Sequence, residues 1–290
     1  MVTNITIPKE KAKPAGLMDI RDEHEYLVRC RATMDQTQKF IDDPNIDEMI
    51  NWGRGTGVVP KLPPEKIAEM AKAGIGTSGI FTVVEPADLD LYRSYMHEPL
   101  SMPDKPEVGV IMVDYNHTGN PLTRYQEGFV MPKARRPDGK DAWLVVSMPV
   151  PNLMMCWMGV AWGLPKYVCD EMTVTPTKAE AIYEGEVRLS LELTPDSSVD
   201  EAALRERGSF GQGNCLTFHP VDGGTCLINW FGRGGEPVKP VEWQAGMVKV
   251  YIRPQDRWAG LIPANSVTPG VFQRNIGGGG GDFVWEKVKG

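Results

Sequence analysis

Apolar and polar positions follow one rhythm at the start of the chain and another after it. From Met18 to Asp43 the apolar residues Ile20, Tyr26, Leu27, Met34 and Phe40 recur at roughly helical spacing among many charges. Pro63-Pro64-Glu65, followed by Ile67, Met70 and Ala71, has the form of a helix opened by proline. Residues 1–75 are therefore expected to form a helical extension. Beyond Gly74 the texture changes to β-branched runs broken by Pro, Gly and Asp, at Ile80 to Val84, Val108 to Asp114, Gly128 to Met131, Ala142 to Pro149 and Ile182 to Thr194. Further short runs lie at Cys215 to His219, Gly224 to Phe231 and Met247 to Ile252, close to the loop signals Asp222-Gly223-Gly224 and Arg233-Gly234-Gly235. Such spacing predicts a mostly β barrel or sandwich. The absence of a strand and helix alternation argues against a doubly wound sheet. Gly277 to Gly281 lack the Lys-Ser/Thr of a phosphate loop, so residues 276–290 are expected to be a Gly-rich hinge and tail.

Composition narrows the class. With 41% apolar and 24% charged residues among 290, the chain can bury a substantial core. A net charge of -7 provides no field for gathering phosphates, so nucleic acid is not an expected partner. No apolar run follows the lysines of Met1 to Pro14, and the expected location is cytoplasmic. The stretch Val145 to Leu164 is broken by Pro149, Pro151 and Asn152, so it is expected to be a buried strand and short helix, not a membrane span. Five cysteines, without a C-x-x-C pair, are expected to be free thiols. Four histidines, none in a ligating spacing, give no support to a metal site, and none is expected.

The chemistry concentrates at Lys166. It closes the segment Trp162-Gly163-Leu164-Pro165-Lys166-Tyr167, and Leu153, Met154, Met155, Trp157, Met158, Val160 and Ala161 precede it without an intervening charge. Most lysines are solvated surface charges, but an ammonium here meets an apolar wall. Burial disfavours the charged form of an amine, and a Schiff base needs the neutral amine as nucleophile. That cost in folding free energy is characteristic of functional sites.

At these residues the chain resembles the acetoacetate decarboxylase superfamily. Pro165-Lys166 matches the element that delivers the imine lysine, and Tyr125-Gln126-Glu127 matches the Tyr-x-Glu strand that faces it. Ile80 to Val84 with Tyr92 and Glu98-Pro99-Leu100 is similar to the opening strand, helix and Pro-Leu turn, and Cys215 to Trp230 and Val241 to Tyr251 to later strand pairs. The resemblance implies a cone-shaped β-barrel over residues 76–275, a homo-oligomer, and a lyase that needs no cofactor beyond a covalent imine with Lys166. It makes Lys166 and Glu127 the expected catalytic pair, with Glu127 as acid/base on the same strand face as Tyr125. The alternative for Glu127 is an outward-facing salt bridge, with Arg124 as partner.

Several positions depart from the family pattern. Tyr167 stands where the decarboxylase has a second lysine, and its hydroxyl is either a proton donor or part of an aromatic cover. Thr77-Ser78-Gly79 replaces an arginine available to a substrate carboxylate, Val110 falls near another family carboxylate, and Met158-Gly159-Val160 replaces polar residues. These losses favour aldolase or dehydratase chemistry on a carbonyl substrate over β-keto acid decarboxylation. Ser78, Tyr125, Tyr167, Met148 and Trp162 are the expected substrate-binding residues, the last two being open also to a plain core role. Cys169 has no nearby His to activate it as a nucleophile. A non-catalytic barrel that holds an organic acid on Lys166 is the competing reading.

Overall fold

The computed structural model describes residues 76–116, 125–151, 155–156, 164–206, 214–218, 225–229, 240–256, 258–275 and 284–288. The helical extension expected over 1–75 lies outside them, as do the glycines 277–281. The described chain is mostly β. Its strands are β1 (Gly76–Val84), β2 (Val108–Asn116), β3 (Tyr125–Arg135), β4 (Asp141–Leu144), β5 (Met148–Val150), β6 (Lys166–Val168) and β7 (Glu171–Val174). There follow β8 (Lys178–Tyr183), β9 (Glu186–Pro195), β10 (Asn214–Phe218), β11 (Thr225–Asn229), β12 (Pro240–Ile252), β13 (Ser266–Asn275) and β14 (Val284–Lys287). Two short helices, α1 (Leu89–Ser94) and α2 (Glu201–Glu206), join them.

Twelve strands form one sheet in the order β14-β11-β10-β4-β3-β2-β1-β13-β12-β9-β8-β7, antiparallel except where β10 runs parallel to β4. The hydrogen-bonded order does not close on itself, so the expected closed barrel is not formed by these ladders. The β7 end nevertheless curls back, bringing its Cα atoms within 8 Å of β1, β2 and β3. Residues 284–287, expected to belong to a tail, instead pair with β11 as an edge strand.

Alternation of side chains puts two apolar clusters on opposite faces of the sheet. The larger gathers Ile80, Val110, Met112 and Val130 from β1 to β3 with Ala181, Leu189, Leu191, Val248 and Phe272 from the strands that curl over them. The smaller takes the intervening positions, Phe81, Ile111, Val113, Phe129, Met131 and Val271, with Val145, Met148 and Leu164. A strand with apolar residues on both faces reads as a continuous β-branched run, which is why β1 and β2 stand out in the sequence.

The long run Ala142 to Pro149 becomes two strands. Past Lys133 strand β4 leaves the side of β3, and Ser147, just before β5, takes its place through the bridge Val130↔Ser147. Strand β5 then pairs in parallel with β6, matching Met148 to Lys166. Gly128 makes this approach possible, since a Cβ built there would stand 2.9 Å from Pro149 Cγ and 3.3 Å from Leu189 Cδ2. The ribbon β5 and β6 is thereby held edge-on against β3.

Candidate active site

Glu127 is the third residue of β3, on the face of Phe129 and Met131 and therefore on the side of the smaller cluster. Lys166 opens β6 in register with Met148, which belongs to the same cluster. The two side chains converge across β5. Lys166 Nζ donates to Glu127 Oε2 at 2.7 Å, with the lysine side chain 3% exposed and the glutamate 0%. The outward-facing salt bridge considered for Glu127 is thus replaced by a buried one. Its other oxygen, Oε1, is fully buried and has no hydrogen-bond partner among the described residues. Buried carboxylate oxygens are seldom left so, which makes Oε1 the acceptor open to a further donor.

Each remaining expected residue finds a definite place or lies outside view. Met148 is fully buried beside Lys166 and forms an apolar wall of the pair. Tyr125 opens β3 opposite Tyr115, but its side chain, like all of Trp162, lies outside what is described. Ser78 pairs with Asp114 and Arg274, one residue out of phase with Glu127, whose row across the sheet is Val113, Gly79 and Gln273. The ladder therefore turns Ser78 to the opposite face of β1, and it is not brought to Lys166. A single-residue step in a strand reverses the side chain, and spacing alone does not reveal the phase.

Tyr167 follows Lys166 in β6 and so faces the other way. Its ring lies under the guanidinium of Arg188, with Cζ 4.2 Å from the ring centroid, and its hydroxyl is 3.5 Å from Ser147 Oγ, a long contact. It is packed into the support of β6, as the aromatic-cover alternative would have it. Val110 is fully buried in the larger cluster, and Glu127 has the hydrocarbon of Val113 and the bare Gly79 beside it in its row.

The Cys156 thiol lies near the amine, and the Cys169 thiol lies in the larger cluster. Burial pushes the Cys156 thiol up to about 11, with the charge of Lys166 pulling against it. Burial likewise pushes Cys169 up to about 12. Neither is a ready nucleophile at neutral pH. Residues that sequence reasoning missed are Gln273, 6% exposed in the row of Glu127, its ladder partner Trp243, and Arg188. Their place depends on pairing between strands distant in sequence, for which the local pattern carries no signal.

An amine and a carboxylate paired in an apolar cluster at the third strand of a curled, mostly β sheet define the class of arrangement, and solved structures give it a fold. Acetoacetate decarboxylase from Legionella pneumophila subsp. pneumophila str. Philadelphia 1 superposes with a TM-score of 0.55 at 14% identity, over 72% of this chain and 85% of its own. A second acetoacetate decarboxylase structure gives 0.56 at 14% identity, over 73% and 88%. The enduracididine biosynthesis enzyme MppR, complexed with the condensation product of pyruvate and imidazole 4-carboxaldehyde, gives 0.50 at 12% identity, over 70% and 86%. No family model matches the chain, and no curated protein matches it. The chain has the acetoacetate decarboxylase-like fold. Among the described residues, no helix is long and apolar enough to cross a membrane.

Proposed function

We propose that this protein is a Schiff-base-forming lyase acting on a keto or β-keto substrate through Lys166, with Glu127 as its acid/base. The observation that carries this reading is the fully enclosed contact of Lys166 Nζ with Glu127 Oε2. Enclosing two opposite charges costs more desolvation than a surface pair ever returns, so stability alone is a poor reason for the arrangement. Transfer of the ammonium proton to the carboxylate leaves a neutral nucleophile and a carboxylic acid in contact, which is the pair that imine formation needs.

In the step proposed, the amine nitrogen bonds to the carbonyl carbon while the carbonyl oxygen takes the proton from Glu127, giving a carbinolamine. The nitrogen then returns one of its protons to the Glu127 carboxylate, which delivers it to the hydroxyl, and water leaves as the nitrogen lone pair forms the iminium. The iminium accepts the electron pair of an adjacent bond as that bond breaks, giving an enamine. The apolar cluster around Met148 keeps water from competing with this sequence.

Which bond breaks separates the branches. Ser78 and Val110 stand where the decarboxylase pattern has charged groups, and neither lies in the row of Glu127, so no charged group at those positions holds a substrate carboxylate, which favours aldol or dehydration chemistry over loss of carbon dioxide. The neighbouring fold in MppR, described with a pyruvate condensation product, supports the same preference. A soluble, cytoplasmic homo-oligomer acting without a metal is part of the reading.

Reversible imine formation exchanges the carbonyl oxygen of a keto acid with water. In water enriched in oxygen-18, the wild-type chain is expected to speed label uptake into pyruvate or a 3-oxo acid above the spontaneous rate, and Lys166→Arg is expected to abolish the increment. Equal rates for the two proteins would refute the imine. Carbon dioxide release against formation of condensation or dehydration products then decides the branch.

A further inference from the structure

Arg188 is fully buried, and the proposed chemistry makes no use of it. Its Nε donates to Asp256 Oδ2 at 2.8 Å, in a pair with side-chain exposures of 0% and 2%. Asp256 also accepts from Arg253 Nη2 at 3.0 Å, while the Arg253 N–H donates to the Arg188 carbonyl at 2.9 Å. A tight loop after β12 therefore locks onto β9 and fixes the direction of the guanidinium. Around that guanidinium stand the rings of Tyr167 at 4.2 Å, Tyr183 at 5.4 Å and Trp258 at 6.0 Å from Cζ.

Of these rings, Tyr167 is the one next to Lys166. Strand β6 is three residues long, and its ladder partner is the equally short β5. Its backbone is otherwise tied through Lys166 N–H to the Leu164 carbonyl, and just beyond the strand through Cys169 N–H to Val150 and Asp170 N–H to Ile182. Such a ribbon leaves the orientation of its side chains to whatever packs on its two faces. On one face lies the pair of Lys166 with Glu127, and on the other the ring of Tyr167 against a rigid cation.

We propose that Arg188 is a positioning residue for Lys166, acting through the stacked ring of Tyr167, an inference that rests on the imine reading above. Its planar guanidinium can accept a ring on its face while its edge is held by Asp256, which a lysine ammonium cannot do. Small displacements of a reacting group are costly in rate, so a support of this kind acts on the chemical step more than on binding.

The full chain is compared as wild type, Arg188→Lys, Tyr167→Leu and the double variant, by two readouts below each protein's Tm. The first is oxygen-18 exchange into pyruvate or a 3-oxo acid. Each single variant is expected to lower the maximal rate about tenfold or more, with the half-saturating concentration within about twofold, and the double variant to fall no further than the worse single one. The second is competitive acetic anhydride labelling, in which Lys166 reactivity relative to exposed Lys178 should change about threefold or more in each single variant. This readout needs no turnover, so absence of exchange in wild type would sink the imine reading while labelling still judged the positioning. Wild-type labelling of Lys166 in Arg188→Lys and Tyr167→Leu, or exchange losses that multiply in the double variant, would overturn the proposal. Should Arg188→Lys fail to fold, Tyr167→Leu alone decides it.

Discussion

Among single residues, one buried ion pair carries the proposed chemistry. Because Lys166 and Glu127 are enclosed together, removing one charge strands the other in an apolar cluster. Lys166→Met is therefore expected to destabilise the fold by about 3–5 kcal/mol, whereas Lys166→Met with Glu127→Leu restores stability to near wild type or above. Denaturant titration of the three proteins measures this, and a double variant less stable than Lys166→Met would count against a direct pair. Glu127→Gln keeps the shape but removes the acid/base group, and the oxygen-exchange rate is expected to fall roughly 10²–10⁴-fold. The two residues were legible in the sequence for different reasons. Lys166 stood out because a charge follows a long apolar stretch, and Glu127 because its strand motif resembles a known family. Tyr167 and Ser78 each lie one position out of phase with the pair, a distinction that only the ladder makes. Arg188 was invisible, since its partner Asp256 lies 68 residues away.

Elements show a similar division. Strands with apolar residues on both faces, such as β1 and β2, were readable as β-branched runs, though their ends were not. The run Ile182 to Thr194 conceals a hairpin: Glu184 and Gly185 both have positive φ, at 54° and 75°, and connect Tyr183 to Glu186 as a two-residue turn. Glu-Gly is a weaker signal for that turn than Asn-Gly or Asp-Gly, so the run looked unbroken. Strand β13 went unread because Pro269-Gly270 resembles a loop, yet it pairs with both β1 and β12. Gly128 carries the most consequence for the site, because Pro149 of β5, the strand that pairs with the lysine strand, packs where its side chain would be. Gly128→Ala places a Cβ 2.9 Å from Pro149 Cγ. It is expected to cost about 1–3 kcal/mol in thermal stability and to slow oxygen exchange as well, because the ribbon that shifts holds Lys166. Wild-type behaviour on both counts would show that the ribbon is not tightly seated.

For the whole molecule, a mostly β chain was anticipated from the strand spacing and an acetoacetate decarboxylase-like fold from the resemblance, whereas barrel closure was not found in the ladders among the described residues. The two buried thiols confer a pH dependence on the folded state as a whole. Their folded values, about 11 for Cys156 and about 12 for Cys169, lie above the ordinary 9.0. The folded chain therefore holds protons that the unfolded chain releases, and this contribution to stability is intact below pH 9. It is lost as pH rises from 9 through the folded values, at up to about 1.4 kcal/mol per pH unit for each thiol. Thermal melts between pH 8 and 11 are expected to show a fall above pH 9 that Cys156→Ala reduces. A fall unchanged by that substitution would assign the alkaline loss to other groups.

The central claim is that Lys166 becomes covalently joined to a carbonyl substrate. It is tested most directly by adding borohydride to the protein with a keto acid and locating the modified peptide by mass. A reduced adduct is expected on Lys166, absent in Lys166→Arg and much slower to form in Glu127→Gln. An adduct on another lysine, or an unmodified Lys166 under saturating keto acids that the protein demonstrably turns over, would contradict it.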